Sequence, residues 1–433
     1  NYTDGIRLDG ATKFLGYESI CSDSNVMAIY VDGASVSEAS KGTEVAIILD
    51  QTAFYAESGG QVGDVGTISS GCSRIEINDC KKVGNHNVHI GAVTSGTIGI
   101  GDSVNCLVDP VKRHGITLNH SATHLLHEAL RQVLGNHVHQ RGSLVNQERL
   151  RFDFSHDSAV SSAEIRQIEH IVNTEILKNT EVTTEVMDME QAKAMGAMAL
   201  FGEKYGDRVR VVSIGGQFSI ELCGGTHVTR TGDIGLIKVS AETSVASGIR
   251  RIESVTGMQA LAFCDEQQDS IGEIVSIVRG SRSGLIEKVN SLVDENRRLQ
   301  KDIERLKDKL AGASGKDMMA GVQEINGVSV LATLVEGADG KSLRGIGDQI
   351  RSKMESGIFV LAAIEGSKAS LLVGVTQNLT DQIKAGDLLK RVTDQTGGKG
   401  GGRPDLAQGA TNGIADVPAA LESIYDWAKE SLS

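Results

Sequence analysis

Two histidines four residues apart, His120 and His124, stand in a segment that reads as a helix. That spacing sets both imidazoles on one helical face, within reach of a single ion. Taken alone, the pair also fits a helix that simply carries histidines on its polar face. Much further along comes Glu221-Leu222-Cys223-Gly224-Gly225-Thr226-His227. Here a thiol and an imidazole flank two glycines, which let the backbone turn tightly enough for both side chains to face one point. A structural cysteine beside an unrelated histidine is the bland alternative. Together the two segments supply one Cys and three His, a donor set suited to tetrahedral Zn²⁺, and they predict Zn²⁺ as cofactor. Four protein donors would close the coordination shell, whereas catalytic zinc usually keeps a position open for water. The ion then either orders the site and positions substrate, or gives up one ligand during turnover. His127, a further turn along, reads as a partner behind the ligands or as facing solvent, and the solvent-facing reading is preferred.

The elements that must position these residues can be read from pattern. Residues 1–110 form short apolar runs at 26–31, 45–49, 74–77, 88–90 and 104–108, separated by Gly, Asp and Ser, which predicts a small β-barrel or sandwich. The Gly-rich stretch 56–64 reads as a tight turn that needs positive φ. Residues 111–264 read as an α+β domain. Its helices are expected at 118–134, opened by Asn119 as N-cap, and at 164–177 and 189–200, with strands at 209–213 and 234–239. Residues 265–312 read as one long helix. Within it Leu285, Val289, Leu292, Asn296, Leu299, Ile303, Leu306 and Leu310 alternate three and four apart, the seam of a coiled coil. The polar Asn296 fixes register, and the seam can pair within one chain or between two. Residues 313–433 read as an α/β domain, with near-continuous apolar strands at 328–332, 359–364 and 371–375 and helices at 343–354 and 418–432. The fold class expected is therefore α+β multidomain: barrel, zinc-containing α+β domain, coiled-coil helix and α/β C-terminal domain.

Composition narrows the function classes. A chain of 433 residues, 40% hydrophobic and 23% charged, has material for several globular cores. No run of eighteen apolar residues occurs, so no membrane partner is expected. Six scattered cysteines and a start at Asn1-Tyr2-Thr3-Asp4-Gly5 without secretory character point to reduced thiols and a cytoplasmic protein. The missing initiator Met suggests a piece of a longer protein. A net charge of −13 excludes a globally basic coat for nucleic acid but leaves room for a local basic patch. The run Gly397-Gly398-Lys399-Gly400-Gly401-Gly402-Arg403 reads as a flexible loop, or as backbone N–H groups that meet phosphates with Lys399 and Arg403. Residues 313–433 carry 12 Lys+Arg against 15 Asp+Glu, so any RNA grip there must be a patch.

His-Ser-Ala-Thr-His at 120–124 with Cys-Gly-Gly-Thr-His at 223–227 resembles the editing domain of alanyl-tRNA synthetases. Related copies of these motifs occur in free-standing editing proteins and in threonyl-tRNA synthetases. The resemblance continues through 54–64 (Phe-Tyr-Ala-Glu-Ser-Gly-Gly-Gln-Val-Gly-Asp), 196–205, 248–253 and 397–405, in the order of bacterial alanyl enzymes, and so covers essentially the whole chain. It implies that His120, His124, Cys223 and His227 bind zinc, that Gln140 acts in the editing pocket, and that Arg250 and Arg251 lie near it and contact tRNA. It implies a final domain that grips tRNA(Ala) and can self-associate, with Lys399 and Arg403 at the RNA. Ala410 departs mildly from a position where Gly is usual. The implied activity is hydrolysis of Ser-tRNA(Ala) and Gly-tRNA(Ala), with the aminoacylating core lying upstream. An alanine pocket cannot exclude glycine by size and rejects serine only about 10²-fold, so a second hydrolytic site is needed. The alternatives are a free-standing editing hydrolase, or a non-catalytic RNA-binding and oligomerisation module with a structural zinc.

Overall fold

The barrel is built on alternation. Strand β1 (Cys21–Val31) alternates exposed and buried residues along its first half, so one face meets water and the other fills an interior. Strands β2 (Glu44–Leu49), β3 (Gly66–Ser70), β4 (Ser73–Val83), β5 (His86–Ser95) and β6 (Ser103–Val108) follow. Antiparallel pairing runs β6-β3-β4-β5-β2-β1 and returns from β1 to β6, which closes a six-strand barrel. Of the barrel and sandwich foreseen for this region, the barrel is the one formed. Ile29, Ile47, Ile68, Ile75 and Phe54 fill it, fully buried.

This computed structural model describes residues 9–199 and 206–432, without the side chains of 307–317. The first residues, the second half of the 196–205 motif and the Leu310 side chain thus lie outside the described residues. Clustering of contacts divides the chain into two compact units, Asn1–Ile274 and Val275–Ser433.

In the first unit the barrel leads directly into helix α1 (Pro110–Leu134). Asp109 accepts from the Val111 and Lys112 amides, and Pro110 occupies the first turn, where its missing N–H costs nothing. The helix therefore starts nine residues before Asn119. That residue is buried mid-helix, donating to the Asn146 carbonyl at 2.8 Å and accepting from Thr256 at 2.7 Å. Its polarity is satisfied by tertiary partners, and so it mimics a cap in sequence. Strands β7 (Gln140–Val145), β8 (Leu150–Ser155), β12 (Ile237–Ala246) and β13 (Ile249–Thr256) form an antiparallel sheet in the order β7-β8-β13-β12. Helix α2 (Ser162–Leu177), opened by a Ser161/Glu164 capping box, packs with α1 over a core that includes Leu125, Leu126, Phe152, Phe154, Ile168 and Val172. Strands β9 (Thr183–Asp188), β10 (Arg208–Ile214) and β11 (Ser219–Leu222) make a separate sheet. The short helix α3 (Met189–Ala194) ends well before residue 200.

The single helix foreseen over 265–312 is two: α4 (Gly257–Val278) and α5 (Leu285–Met318). Arg279 takes a φ of 51° between them, a left-handed stop, and the following Gly280-Ser281-Arg282-Ser283-Gly284 contains poor helix formers. Along α5 the seam residues Val289, Leu292, Leu299, Ile303 and Leu306 are between 38% and 54% exposed, an apolar row without a covering partner among the described residues of this chain.

The second unit carries a six-stranded sheet of β14 (Gln323–Ile325), β15 (Val328–Leu334), β16 (Gly357–Glu365), β17 (Lys368–Val375), β18 (Lys399–Arg403) and β19 (Leu406–Thr411), in the order β14-β15-β16-β17-β19-β18. Only β15 and β16 pair in parallel, so the sheet is mixed, yet its middle strands are buried on both faces as their apolar runs imply. One face packs under α6 (Gly340–Lys353), the other under α7 (Ala385–Thr396) and α8 (Val417–Ser431). The Gly-rich run is an edge strand here, in place of the flexible loop. A Cβ on Gly400 would lie 2.7 Å from Leu389 of α7, so glycine lets the helix sit directly on the strand.

Candidate metal centre

Helix α1 presents His120 and His124 one turn apart, and β11 runs straight into Cys223. The ligand atoms of His120, His124, Cys223 and His227 all lie within 4.8 Å of one another. Cys223 Sγ is 3.4 Å from His120 Nε2 and 3.3 Å from His227 Nε2. Gly225 makes the approach possible, because a Cβ there would run into the His120 ring. His124 Nδ1 pairs with Glu221 at 2.6 Å, while its Nε2 is buried with no hydrogen-bond partner. A buried ring nitrogen without a partner is costly, and a cation among these four donors would satisfy it. One soft thiolate and three imidazoles are a zinc donor set, so the residues fit the ion that the motifs predict.

Electrostatics points the same way. Burial alone would push the Cys223 thiol up, but the imidazoles of His120, His227 and His124 hold it well below its ordinary value, which favours the thiolate. Burial drives His227 down to about 3 against the pull of Cys223, keeping that imidazole neutral and able to coordinate. Burial also pushes Glu221 up and His124 down. Their mutual attraction, joined by the pull of Cys223 on His124 and of His127 on Glu221, outweighs both effects and sets Glu221 at about 2 and His124 at about 10. Two enclosed anions, Cys223 and Glu221, thus lie among the histidines, and the proton they hold on His124 is one that a bound cation would displace.

Four residues support the donors, and the sequence alone does not mark Gln61, Glu221 or Ser121 in that role. Gln61, fully buried, accepts from the Thr226 amide at 2.9 Å, donates to the Thr226 hydroxyl at 3.0 Å and lies 2.7 Å from His120 Nδ1. The stretch 56–64 is the expected turn, with Gly59 and Gly60 at φ of 59° and 86°. It also carries a side chain from the barrel into the site, since the Gln61 backbone bridges to Val145 of β7. Glu221 shares its two oxygens between His124 and His127, at 2.6 and 2.9 Å. His127 is therefore buried behind the ligands, against Phe152, and does not face solvent. Its place one turn beyond His124 was the available signal. Ser121, between the two helical histidines, sits 3.2 Å from His227 Nδ1.

The other residues singled out in the sequence fall elsewhere. Gln140 opens β7, half-buried and in register with Phe154. It lies five residues from Val145, roughly 16 Å along a strand, and no described hydrogen bond ties it to the four donors. Arg250 is engaged by both oxygens of Glu242 at 2.6 and 2.7 Å, and Arg251 by both of Asp153 at 2.7 and 2.8 Å. Neighbours on a strand, they point to opposite faces. Lys399 and Arg403 end the exposed edge strand β18, with Arg403 3.3 Å from Asp405.

Beside the centre, Gly16, Tyr17, Thr117, Arg210, Thr226 and His227 help line a polar cleft of about 590 Å³. Buried Arg113 ties the barrel to α1 there, pairing with Asp64 at 3.0 Å and donating to the Gly16 and Ala53 carbonyls at 2.8 Å each.

Comparison with known proteins shows the family. Residues 1–112 match the family described as tRNA synthetases class II (A). Residues 209–253 match the Threonyl and Alanyl tRNA synthetase second additional domain, and 327–430 match the DHHA1 domain. Alanine--tRNA ligase of Saccharophagus degradans is 49% identical over 99% of this chain and 49% of its own length. The Pseudomonas entomophila protein of the same name is 48% identical over 100% of this chain and 49% of its own. A solved structure, the C-Ala domain from Aquifex aeolicus alanyl-tRNA synthetase, is 23% identical, with a TM-score of 0.24, over 25% of this chain and 97% of its own. The chain spans about half the length of the curated relatives it matches. Identity near one half along the whole chain, with the synthetase domains in order, places it: this chain belongs to the alanyl-tRNA synthetase family.

Proposed function

We propose that the chain is the editing part of an alanyl-tRNA synthetase, hydrolysing Ser-tRNA(Ala) and Gly-tRNA(Ala) in the cytoplasm. The observation that carries the reading is the Cys-His₃ quartet, three of its members buried, at the edge of a polar cleft. In the reaction water attacks the acyl carbon of the ester between the amino acid and the 3′-terminal adenosine. The acyl C–O bond breaks, and the ribose oxygen leaves with a proton. Zn²⁺ held by His120, His124, Cys223 and His227 would supply Lewis-acid polarisation and a fixed anchor for the aminoacyl group. Gln61 and Glu221 hold the rings of His120 and His124 in place, and Gln140 is assigned to orient the ester or the water. The decisive measurement is release of serine from Ser-tRNA(Ala) by the purified chain, which should greatly exceed spontaneous hydrolysis. Intact ester after prolonged incubation would reject the reading. Gln140→Ala should slow hydrolysis about 10-fold or more, the scale of a lost positioning group, with zinc content and tRNA affinity unchanged. Equal rates would remove Gln140 from the chemistry.

Four protein donors also suit a closed structural zinc in a non-catalytic RNA-binding module. The same deacylation assay separates the two readings, since only the first gives serine.

The labour is divided along the chain as barrel (1–110), editing domain (111–264), helical linker (265–312) and tRNA-binding domain (313–433). The exposed row on α5 is assigned to coiled-coil pairing, within a longer chain or in a homo-oligomer. With a net charge of −13, RNA affinity must come from local contacts, which are assigned to Lys399, Arg403, Arg250 and Arg251. Truncation before the second unit's sheet should weaken tRNA(Ala) binding and flatten the slope of log affinity against log salt, because each lost phosphate contact removes about 0.7–0.9 from that slope. Hydrolysis at saturating tRNA should persist. An unchanged slope would assign the C-terminal domain to packing or self-association.

A further inference from the structure

Tyr17 precedes the first barrel strand and lies two hundred positions from the Cys-Gly-Gly-Thr-His motif, yet its hydroxyl donates to the Gly224 carbonyl at 2.6 Å. The Arg210 guanidinium lies over the Tyr17 ring, 4.1 Å from its centroid. That guanidinium also donates to the Cys223 carbonyl at 2.7 Å and the Gly225 carbonyl at 2.9 Å. Three consecutive carbonyls between the thiol and the last imidazole are thus held by two side chains that also hold each other. Phe14 meets the Tyr17 ring edge-on, with centroids 4.8 Å apart. The turn needs such support. Gly224 and Gly225 have no side chains of their own to restrict the backbone, and Gly225 must stay close to the His120 ring. A purely structural tyrosine would bury its ring in the barrel core. Tyr17 is instead 48% exposed and lines the cleft beside His227 with Arg210.

We infer that Tyr17, clamped with Arg210 onto the Cys223–Gly225 turn, is a positioning residue of the hydrolytic site, fixing how Cys223 and His227 face the ion and the cleft. The segment that leads into the barrel thereby forms part of the site. The inference about hydrolysis rests on the function proposed above, whereas the inference about ligand geometry can be tested without it.

The experiment compares the full chain with Tyr17→Phe, Tyr17→Ala and Arg210→Lys. It uses three readouts: the visible spectrum after Co²⁺ substitution, zinc affinity by chelator competition, and kcat and KM on Ser-tRNA(Ala). Tyr17→Phe keeps the ring under the guanidinium and loses one hydrogen bond, so kcat should fall about fivefold. Tyr17→Ala loses both contacts and should weaken zinc about 10- to 100-fold, as loss of groups that orient metal ligands does. It should also alter the cobalt bands and lower kcat further, with KM little changed. Arg210→Lys keeps the charge but is shorter and loses the flat guanidinium that covers the Tyr17 ring while reaching the two carbonyls, and should resemble Tyr17→Ala. Wild-type cobalt spectra and zinc affinity in both Tyr17→Phe and Arg210→Lys would overturn the inference, and these mild changes read it even if Tyr17→Ala does not fold. A wild-type chain that leaves Ser-tRNA(Ala) intact would reject the proposed hydrolysis instead, and the cobalt and zinc readouts would still decide the positioning.

Discussion

Replacing Cys223 by alanine should strip the chain of most of its zinc and reduce deacylation of Ser-tRNA(Ala) about 100-fold. The size follows from the metal. A four-ligand zinc site is worth about 10–16 kcal/mol, so one ligand carries about a quarter, near 3 kcal/mol, or roughly two orders of magnitude in affinity. Cys223 is the most consequential of the four because it is the one sulfur anion among imidazoles: its thiolate lies 3.3–3.4 Å from two imidazole nitrogens. Removing it leaves three histidines crowded together with ring centroids 4.5–5.3 Å apart. Elemental analysis of the purified variant, beside His227→Ala and the double variant, checks the claim. Full zinc retention in the double variant would refute the site. Deacylation that survives in a zinc-free chain would show that the ion only orders the fold.

The second large effect should come from Glu221, which touches no substrate and would bind no metal. Its two oxygens lie 2.6 and 2.9 Å from His124 and His127, and all three side chains are buried. Glu221→Ala leaves two enclosed ring nitrogens without partners and removes a buried charge. The chain should lose about 3 kcal/mol against denaturant, the order expected when one member of a buried charged network is deleted. Zinc should also bind about 10- to 100-fold more weakly, because the carboxylate fixes the orientation and tautomer of a metal-binding histidine. Glu221→Gln keeps one acceptor oxygen and turns the other into a donor, so it should fall between wild type and alanine in both measurements. Denaturation midpoints and chelator competition on the three proteins test the order. If Glu221→Ala matched wild type in both, the carboxylate would be a bystander, and the electrostatic account of the centre would fail with it.

Local chemistry explains what could be read in advance. The four donors were visible because two of the constraints are short-range: four-residue spacing along a helix, and a thiol and imidazole across two glycines. Barrel strands, the burial of the C-terminal strands on both faces and the apolar row of α5 were visible because periodicity in the sequence is periodicity in space. Errors arose where a residue's partner lies far along the chain. Asn119 resembled a helix cap, but its side chain is satisfied by Asn146 and Thr256. His127 resembled a solvent residue, and its partner Glu221 is 94 positions away. The Gly397–Gly402 run resembled a loop because glycine signals freedom, whereas at Gly400 it signals the closeness of Leu389.

The sequence by itself therefore determined the family and which four Cys and His side chains the fold gathers at one point. Tertiary structure alone decided what stands behind those donors: Gln61 from a barrel turn against His120, Glu221 shared between two histidines, and Tyr17 with Arg210 on the Cys223–Gly225 carbonyls. The reason is physical. A metal-binding motif needs only the right atoms at the right spacing, and local backbone geometry supplies that. The contacts that set ligand tautomer, charge and angle are single hydrogen bonds to residues brought together only when the barrel, helix and sheet have packed, and no pattern along the chain marks their ends.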